Sequence, residues 1–255
     1  MLTISESQLA AWLSPLFWPF LRTLAVFTSA PVFSSRAFPL RAKIALAFLI
    51  AVAAQASLPE MPVIALDSAS AFGAVAQQVG VGLAIGFAVR LVFSAVELAG
   101  EVIGFQMGLN FASFFDPMIN AQSSATARFF GQIAALLFLA VNAHLWLVMA
   151  ITQSFHAFPV DQNFLHAAQG MAMYQLGAEL FASALWIALP MVGIMLFVNL
   201  ALGIISRVAP QMNIFAVGFP VTLVVGMLGI AATLPMLDRP YMALMEKAIT
   251  VFHGG

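Results

Sequence analysis

The sequence contains no cysteine, which excludes disulfides, thiol catalysis and thiolate-held metal sites. Charge is also scarce, because 7% of the 255 residues are charged, whereas a soluble domain has about 25%. Nine Lys and Arg stand against ten Asp and Glu, so the sequence offers no basic face for nucleic acid. A chain with so little surface charge cannot stay dissolved in water, and these absences together predict a membrane protein.

Hydrophobic residues make up 63% of the chain, and the mean hydropathy is +1.03. Six long stretches contain no Asp, Glu, Lys or Arg: 23–35, 44–59, 68–89, 129–160, 180–206 and 208–237. Since a spanning helix needs roughly 20 mostly apolar residues, we predict helices near 11–30, 40–58, 73–107, 127–156, 178–206 and 213–235, with a short one near 239–252. Residues 1–11 carry one charge, Glu6, and no positive cluster, so we expect the first apolar segment to be retained rather than cleaved as a signal.

Two features of these helices are unusual. The stretch 73–107 is about 50 Å long as a helix, against a hydrocarbon core of ~30 Å, so it must tilt, break or be covered by partner proteins. Prolines also occur inside predicted helices, at Pro15, Pro19, Pro190 and Pro220, and proline kinks a helix. The fold class is therefore predicted to be all-α, a polytopic membrane protein of kinked hydrophobic helices and helical hairpins.

The densest basic cluster lies between the first two predicted helices and comprises Arg36, Arg41 and Lys43. Cytoplasmic loops carry the excess of Lys and Arg, so these residues are the predicted cytoplasmic topology determinants. The next loop holds Glu60 and Asp67 as its only charges, and we expect it on the outer side.

Three charged residues lie within the long helix. Arg90 and Glu97 are seven positions apart and Glu101 follows one turn later, so all three share one helix face. Intramembrane charges are costly and face a partner, a cavity or water. One interpretation is the ion or proton pathway of an ion-coupled secondary transporter; the other, which we favour, is pairing with neighbours in an assembly or a position beyond the lipid.

Glycines also recur on this helix, at Gly100, Gly104 and Gly108. Small residues four positions apart let helix backbones approach closely. We therefore predict a helix-packing role for these three glycines.

The segment 106–124 interrupts the helical pattern. Pro117 disfavours a helical conformation at Asp116, while Asn, Ser and Gln favour turns. The same segment is rich in large apolar side chains: Phe111, Phe114, Phe115 and Met118. Such a segment needs cover, and two interpretations remain open: a gate that closes a pore by excluding water, or an ordinary loop packed on a neighbouring subunit.

Signatures of enzymes and metal sites are missing from the sequence. It has no H-E-x-x-H, G-x-S-x-G or G-x-x-x-x-G-K pattern, and its four histidines are scattered. We expect no catalytic residues, no metal and no cofactor, so the protein is predicted not to be an enzyme.

Five stretches of the sequence resemble the FliR family, whose virulence-system relatives are the SctT proteins. In chain order they are FPLRAKIALAF (38–48), GFQMGLNFASFFDP (104–117), ARFFGQIAALLFLAVNAHLWLV (127–148), SFHAFPV (154–160) and ISRVAPQMNIFAVGFP (205–220). The resemblance covers nearly the whole chain. The motifs do not separate flagellar from virulence use, and we expect the flagellar one.

The resemblance implies a function as well as a fold. It implies a structural pore and gate subunit of the flagellar type III export apparatus in the bacterial inner membrane, part of the flagellar basal body. One R-type chain joins P-type and Q-type subunits in a helical multi-subunit gate that passes unfolded proteins, and a B-type switch protein binds it. The single export-gate domain, 1–255, combines a P-type-like part, 1–158, with a Q-type-like hairpin at about 178–235. The segment 106–124 becomes the plug, with Phe111, Phe114, Phe115, Asp116, Pro117 and Met118 in it.

Overall fold

A computed structural model describes residues 6–64, 68–109, 124–161, 173–211 and 214–252, and all regular structure in these ranges is helical. The described residues contain nine α-helices: α1 (Glu6–Ser29), α2 (Pro31–Ser34), α3 (Leu40–Ala54), α4 (Ala69–Gln106), α5 (Ala125–Ala140), α6 (Ala143–Ala157), α7 (Met173–Val208), α8 (Ile214–Thr233) and α9 (Asp238–Thr250). Short 3-10 turns follow α3 and α8, at Gln55–Ser57 and Leu234–Met236. The predicted all-α class is confirmed.

In the part of the chain that the structure describes, four helical stretches are long and apolar enough to cross a membrane: Leu40–Ser57, Ser70–Gln106, Tyr174–Val208 and Ala216–Met236. The pair α5 and α6 makes a fifth if it is counted as one broken span. The sequence analysis predicts six such stretches, and α1 accounts for the difference because Arg22 and its two prolines lower its apolar character. With its several apolar spans, the chain is a polytopic membrane protein.

The seven predicted helices all have counterparts, but the one predicted over 127–156 is split. The chain turns at Asn142, whose φ of 56° lies in the left-handed region. Asparagine tolerates this conformation because its short polar side chain bonds locally. The prolines, in contrast, lie inside continuous helices: Pro15 and Pro19 in α1, Pro190 in α7 and Pro220 in α8.

The helices form two compact units. The first comprises residues 1–91, 138–176 and 245–255, and the second comprises 92–137 and 177–244. In the described ranges four helices, α4, α5, α7 and α9, contribute residues to both units. The boundary predicted near 158–178 lies largely in 162–172, outside the described residues, and stays a prediction.

The first unit is built around α1. Trp18 and Phe27 of α1 are fully buried, and the Phe27 ring stacks on Phe33 with centroids 4.5 Å apart. Phe138 packs edge-on against Phe33 at 6.3 Å. Aromatic side chains of this size dominate the energetics of a core, so α1 is held by protein on its buried face.

The second unit has a core of aliphatic and sulfur-containing side chains. Ile103, Met107 and Met195 are buried there, and the Phe93 ring meets Tyr241 edge-on with centroids 6.3 Å apart. Burial raises the pKa of the Tyr241 phenol, because removing water disfavours the phenolate. The hydroxyl is therefore neutral at physiological pH.

Candidate functional site

A buried polar cluster in the first unit surrounds Arg22 of α1. This side chain is completely buried. Its Nε donates to Oε1 of Gln78 at 2.8 Å, and Nη1 donates to Oγ of Ser154 at 2.9 Å. Its Nη2 donates to the carbonyl oxygen of Phe158 at 2.7 Å. The guanidinium carbon also lies 3.6 Å from the centroid of the Phe155 ring, a cation–π contact.

The cluster continues from Gln78 to the chain that leaves α6. Gln78 donates from Nε2 to Oε1 of Gln77 at 2.9 Å, and Gln77 donates to the carbonyl oxygen of Pro159 at 3.1 Å. The backbone N–H of Asp161 donates to Oε1 of Gln77 at 2.8 Å. The C-terminal end of a helix carries unpaired carbonyls and partial negative charge. Arg22 and Gln77 thus satisfy the carbonyls that follow α6 and fix the exit of that helix.

The sequence analysis misses Arg22, since its first charge-free stretch begins at the next residue. A signal was available, because a lone ionisable residue inside an apolar helix marks a site with a specific partner. A second signal was the pair Gln77 and Gln78 within the otherwise apolar start of α4. What this cluster does is hold three helices together.

Two glycines of α4 let that helix cross α1 at close range. A Cβ placed on Gly82 would lie 2.5 Å from the carbonyl oxygen of Arg22. A Cβ on Gly86 would lie 2.9 Å from the backbone nitrogen of Ala30. Any larger side chain at either position would force the two backbones apart, so glycine is required by the crossing beside Arg22.

The three charges predicted to share a face all lie on α4. Arg90 and Glu97 are exposed and Glu101 is half-buried. Glu101 accepts a hydrogen bond from Oγ of Ser124, and the side chain of Glu97 lies over Gly131 of α5. Both carboxylates therefore pack against the start of α5, and their predicted functional roles stay predictions.

The end of α4 is a well-defined cap. Gly108 has a φ of +78°. The N–H of Leu109 donates to the carbonyl oxygen of Gly104 at 3.1 Å, and the N–H of Gly108 donates to the carbonyl oxygen of Phe105 at 3.1 Å. This pattern is a Schellman motif, in which glycine supplies the left-handed residue that stops the helix. Gly108 thus has a conformational reason to be glycine.

At Gly100, the absence of a side chain serves close helix packing rather than a special backbone conformation. A Cβ at Gly100 would lie 2.8 Å from Cβ of the buried Phe130 in α5. Gly104 is buried one turn later. The helix-packing role of the three glycines stays a prediction.

Met107, the residue that caps α4, is anchored to α8. A Cβ on Gly226 would lie 2.8 Å from Sδ of Met107, so the methionine fills the space that the glycine leaves. Thr222 of α8 donates from Oγ1 to the Met107 carbonyl oxygen at 3.2 Å. The chain therefore leaves α4 from a fixed point.

The chain returns at Ser124, which is also fixed. Its Oγ accepts from the N–H of Ala127 at 3.1 Å, the N-cap interaction of a helix start, while the same hydroxyl bonds Glu101. Glu101 lies seven residues before Gly108, about 10 Å along the helix. Both ends of the segment 110–123 are thus anchored to the second unit.

The predicted plug residues Phe111, Phe114, Phe115, Asp116, Pro117 and Met118 lie outside the described residues. The predicted topology determinants are described: Arg36 lies in the turn between α2 and α3, while Arg41 and Lys43 lie in the first turn of α3. Arg36 and Arg41 are exposed and Lys43 is half-buried. Their cytoplasmic location stays a prediction.

Within the described ranges, no group of three or more His, Asp or Glu side chains could hold a metal ion. One cleft in the first unit is lined mainly by apolar side chains, among them Leu13, Phe17, Phe48 and Ile64. Such clefts suit apolar chains rather than a polar substrate.

Comparison with known proteins identifies the family. The profile described as "Bacterial export proteins, family 1" matches residues 13–248. The chain is 41% identical to the flagellar biosynthetic protein FliR of Escherichia coli (strain K12) over 239 residues, 93% of this chain and 90% of that protein. It is 40% identical to FliR of Pectobacterium carotovorum over 237 residues, and 34% identical to FliR of Bacillus subtilis over 209 residues. Those alignments cover 93% and 81% of this chain, and 90% and 80% of the respective relatives. The chain therefore belongs to the FliR family of bacterial export proteins and is a membrane-embedded component of the flagellar export apparatus.

Proposed function

We propose that this chain is a pore and gate subunit of the flagellar type III export apparatus in the bacterial inner membrane. In this proposal it passes unfolded flagellar proteins, and the segment 106–124 closes the channel between transport events. Membership of the FliR family supports the export role, and the geometry around that segment supports the gate.

The observation that carries the proposal is the anchoring of the segment at both ends. Met107 is seated on Gly226 at one end, and Ser124 is held by Glu101 at the other. A gate must open without releasing its attachment points, and two anchors on one compact unit provide fixed ends of this kind. A surface loop packed by chance on a neighbour does not need them.

The composition of the segment suits closure of a channel. Its three phenylalanines and Met118 exclude water, and the thioether of methionine adapts to irregular surfaces. An apolar constriction stops ions because it cannot replace their hydration shell. It also gives way to an unfolded chain, whose own side chains it contacts without specific geometry.

Exposed apolar helix faces support a role inside an assembly. In α7, Trp186 is 73% exposed and Phe197 is 76% exposed. In α8, Leu228 is 66% exposed. We propose that the P-type and Q-type export subunits cover these faces, and that a B-type switch protein and the flagellar basal body contact the assembled gate.

The test replaces the three phenylalanines, Phe111, Phe114 and Phe115, by alanine together. We expect the variant to co-purify with its partner subunits at the normal level, while the membrane becomes permeable to ions. Permeability is measured as the decay of an imposed potassium gradient in vesicles that contain the purified assembly. A matched control replaces three exposed phenylalanines of described helices, Phe72, Phe87 and Phe129, and must stay ion-tight. Normal assembly with an ion-tight membrane in the triple plug variant would show that the segment is not the gate.

An ion-coupled secondary transporter remains the alternative, and it makes a different prediction. It requires flux through the purified single chain and loss of that flux in Glu97→Gln. The Glu97 side chain lies over Gly131 of α5, and Glu101 accepts a hydrogen bond from Ser124 just before that helix, which favours a packing role for both. Proton or solute flux that depends on Glu97 in the chain alone would replace the gate proposal.

A further inference from the structure

The helix α3 has two contrasting faces. Ala47, Ala51 and Ala54 are buried, and their small side chains form the side that packs within the first unit. The opposite side carries large apolar side chains that are exposed: Phe48 (50%), Leu49 (61%) and Val52 (45%). Leu40 (64%) and Ile44 (42%) are exposed near the start of the helix, on the side of the alanines. An exposed apolar face of this kind needs a cover other than water.

The length of this stretch matches a bilayer. Its 18 residues rise about 27 Å as a helix, close to the ~30 Å hydrocarbon core. Two other apolar stretches, Ser70–Gln106 and Tyr174–Val208, have 37 and 35 residues and exceed that thickness by about 20 Å. The stretch Ala216–Met236, with 21 residues, also matches it. The length of α3 therefore favours lipid as its cover, because lipid needs no overhang.

The N-terminal end of α3 carries positive charges, and the charge that follows its other end is negative. Arg36, Arg41 and Lys43 lie at its N-terminal end, and in the described part of the chain none of the three has an acidic partner. The far end is followed by Glu60 and has no basic residue between Ile44 and that position. Three unneutralised cations next to an exposed apolar face complement the phosphates of anionic lipid headgroups.

We propose that α3 lies in contact with lipid and that Arg36, Arg41 and Lys43 bind the headgroups of anionic phospholipids in the adjoining leaflet. The apolar face takes the acyl chains, and the basic cluster selects the headgroup. This inference does not depend on the proposed gate.

The experiment uses the absence of cysteine in the chain. A single cysteine is introduced at the exposed position Ala45 and labelled with a fluorophore, and the purified export assembly that contains the full chain is placed in vesicles that contain brominated lipid. Brominated phosphatidylglycerol is compared with brominated phosphatidylcholine, because bromine quenches a fluorophore that it contacts. We expect strong quenching by both lipids and a preference for phosphatidylglycerol.

The preference should depend on the basic cluster. A basic side chain near an anionic surface contributes about a fivefold preference, so three contribute on the order of 100-fold. The variant Arg36→Gln/Arg41→Gln/Lys43→Gln should lose most of that preference and keep the quenching. A control with the same change in net charge, Arg207→Gln/Arg239→Gln/Lys247→Gln, should retain the preference.

Two results would overturn the inference. A label at Ala45 that neither lipid quenches shows that protein covers α3. Quenching without preference, or a preference that survives neutralisation of the cluster, shows that the basic side chains do not bind the headgroups. Neither result bears on ion permeability of the plug variants, so the two proposals fail independently.

Discussion

Replacing Arg22 by methionine tests how the first unit holds the end of α6. Methionine keeps much of the apolar volume but removes three donors, which leaves Oε1 of Gln78 and the Phe158 carbonyl without their partner. Ser154 is less affected, because its hydroxyl also donates to the Ile151 carbonyl at 2.7 Å.

The expected change in the free energy of unfolding on Arg22→Met is the difference between the lost interactions and the relieved cost of burying a cation. Each orphaned buried acceptor costs about 1–3 kcal/mol, and loss of the cation–π contact with the Phe155 ring costs ~1–2 kcal/mol. Against these losses, removing a buried cation relieves a desolvation penalty of several kcal/mol. We therefore expect Arg22→Met to lower the free energy of unfolding by only about 2 kcal/mol.

Replacing the partner residue Gln78 does not relieve the desolvation penalty of Arg22, because the cation stays buried. Gln78→Met leaves the Arg22 Nε–H buried and unbonded, and an unmet donor on a charged group costs ~3 kcal/mol. Gln78→Met should thus be at least as destabilising as Arg22→Met. The double variant should fall short of the sum by about 1–3 kcal/mol.

The assay is denaturant-titrated unfolding of the full chain in mild detergent, followed by tryptophan fluorescence for the two single variants and the double variant. Gln175→Met serves as the control, because Gln175 is exposed in α7 and bonds its neighbour Tyr174; it should shift stability by less than ~0.5 kcal/mol. Additive effects of the two substitutions would refute the idea that Arg22 and Gln78 act as one cluster.

Two further predictions concern the second unit and use the same unfolding assay. Gly100→Ala should destabilise by up to ~2 kcal/mol, because its Cβ would lie 2.8 Å from Phe130 and overpacking costs about 1–3 kcal/mol against a gain of ~1 in helix propensity. Gly193→Ala should stabilise the isolated chain by up to ~1 kcal/mol, since nothing lies within 4 Å of the Cβ that the alanine would add. Stability shifts of the same sign in Gly100→Ala and Gly193→Ala would contradict the packing argument. Ser124→Ala should lower the free energy of unfolding by about 0.5–2 kcal/mol, because the helix cap is lost. Ser124→Thr, which keeps a hydroxyl, should retain most of the stability. If Ser124→Ala leaves the stability unchanged, the idea that Ser124 and Glu101 anchor this end of the segment is wrong.

Much of the helical organisation was predictable, because charge gaps and apolar length report directly on which segments leave water. The long helix α4 ends at Gln106, one residue from its predicted end, since Gly108 is an evident stop signal. The break at Asn142 was missed because its neighbours are apolar and a single asparagine does not interrupt a hydropathy pattern. Left-handed residues of this kind depend on local hydrogen bonds that composition does not record.

The role of Arg22 could not be derived from the sequence for a different reason. Its partners Gln78 and Ser154 are 56 and 132 residues away, so no local pattern joins them. Its helix also carries an aromatic-rich apolar run, which indicates a spanning segment rather than a protein-covered one. Only the tertiary arrangement identifies α1 as the core of the first unit.

The exposed apolar surfaces of the chain divide into two kinds, and length separates them. The helix α7 has 36 residues, about 54 Å, and exposes large apolar side chains from Tyr174 at its start to Val208 at its end. A bilayer covers roughly 20 of those residues, so about 16 must be covered by protein if they are to avoid water. By contrast, α3 fits within the bilayer and carries its charges at one end. We therefore propose that exposed apolar surface serves two purposes in this chain: α3 meets lipid, and the overhang of α7 is covered by a partner subunit.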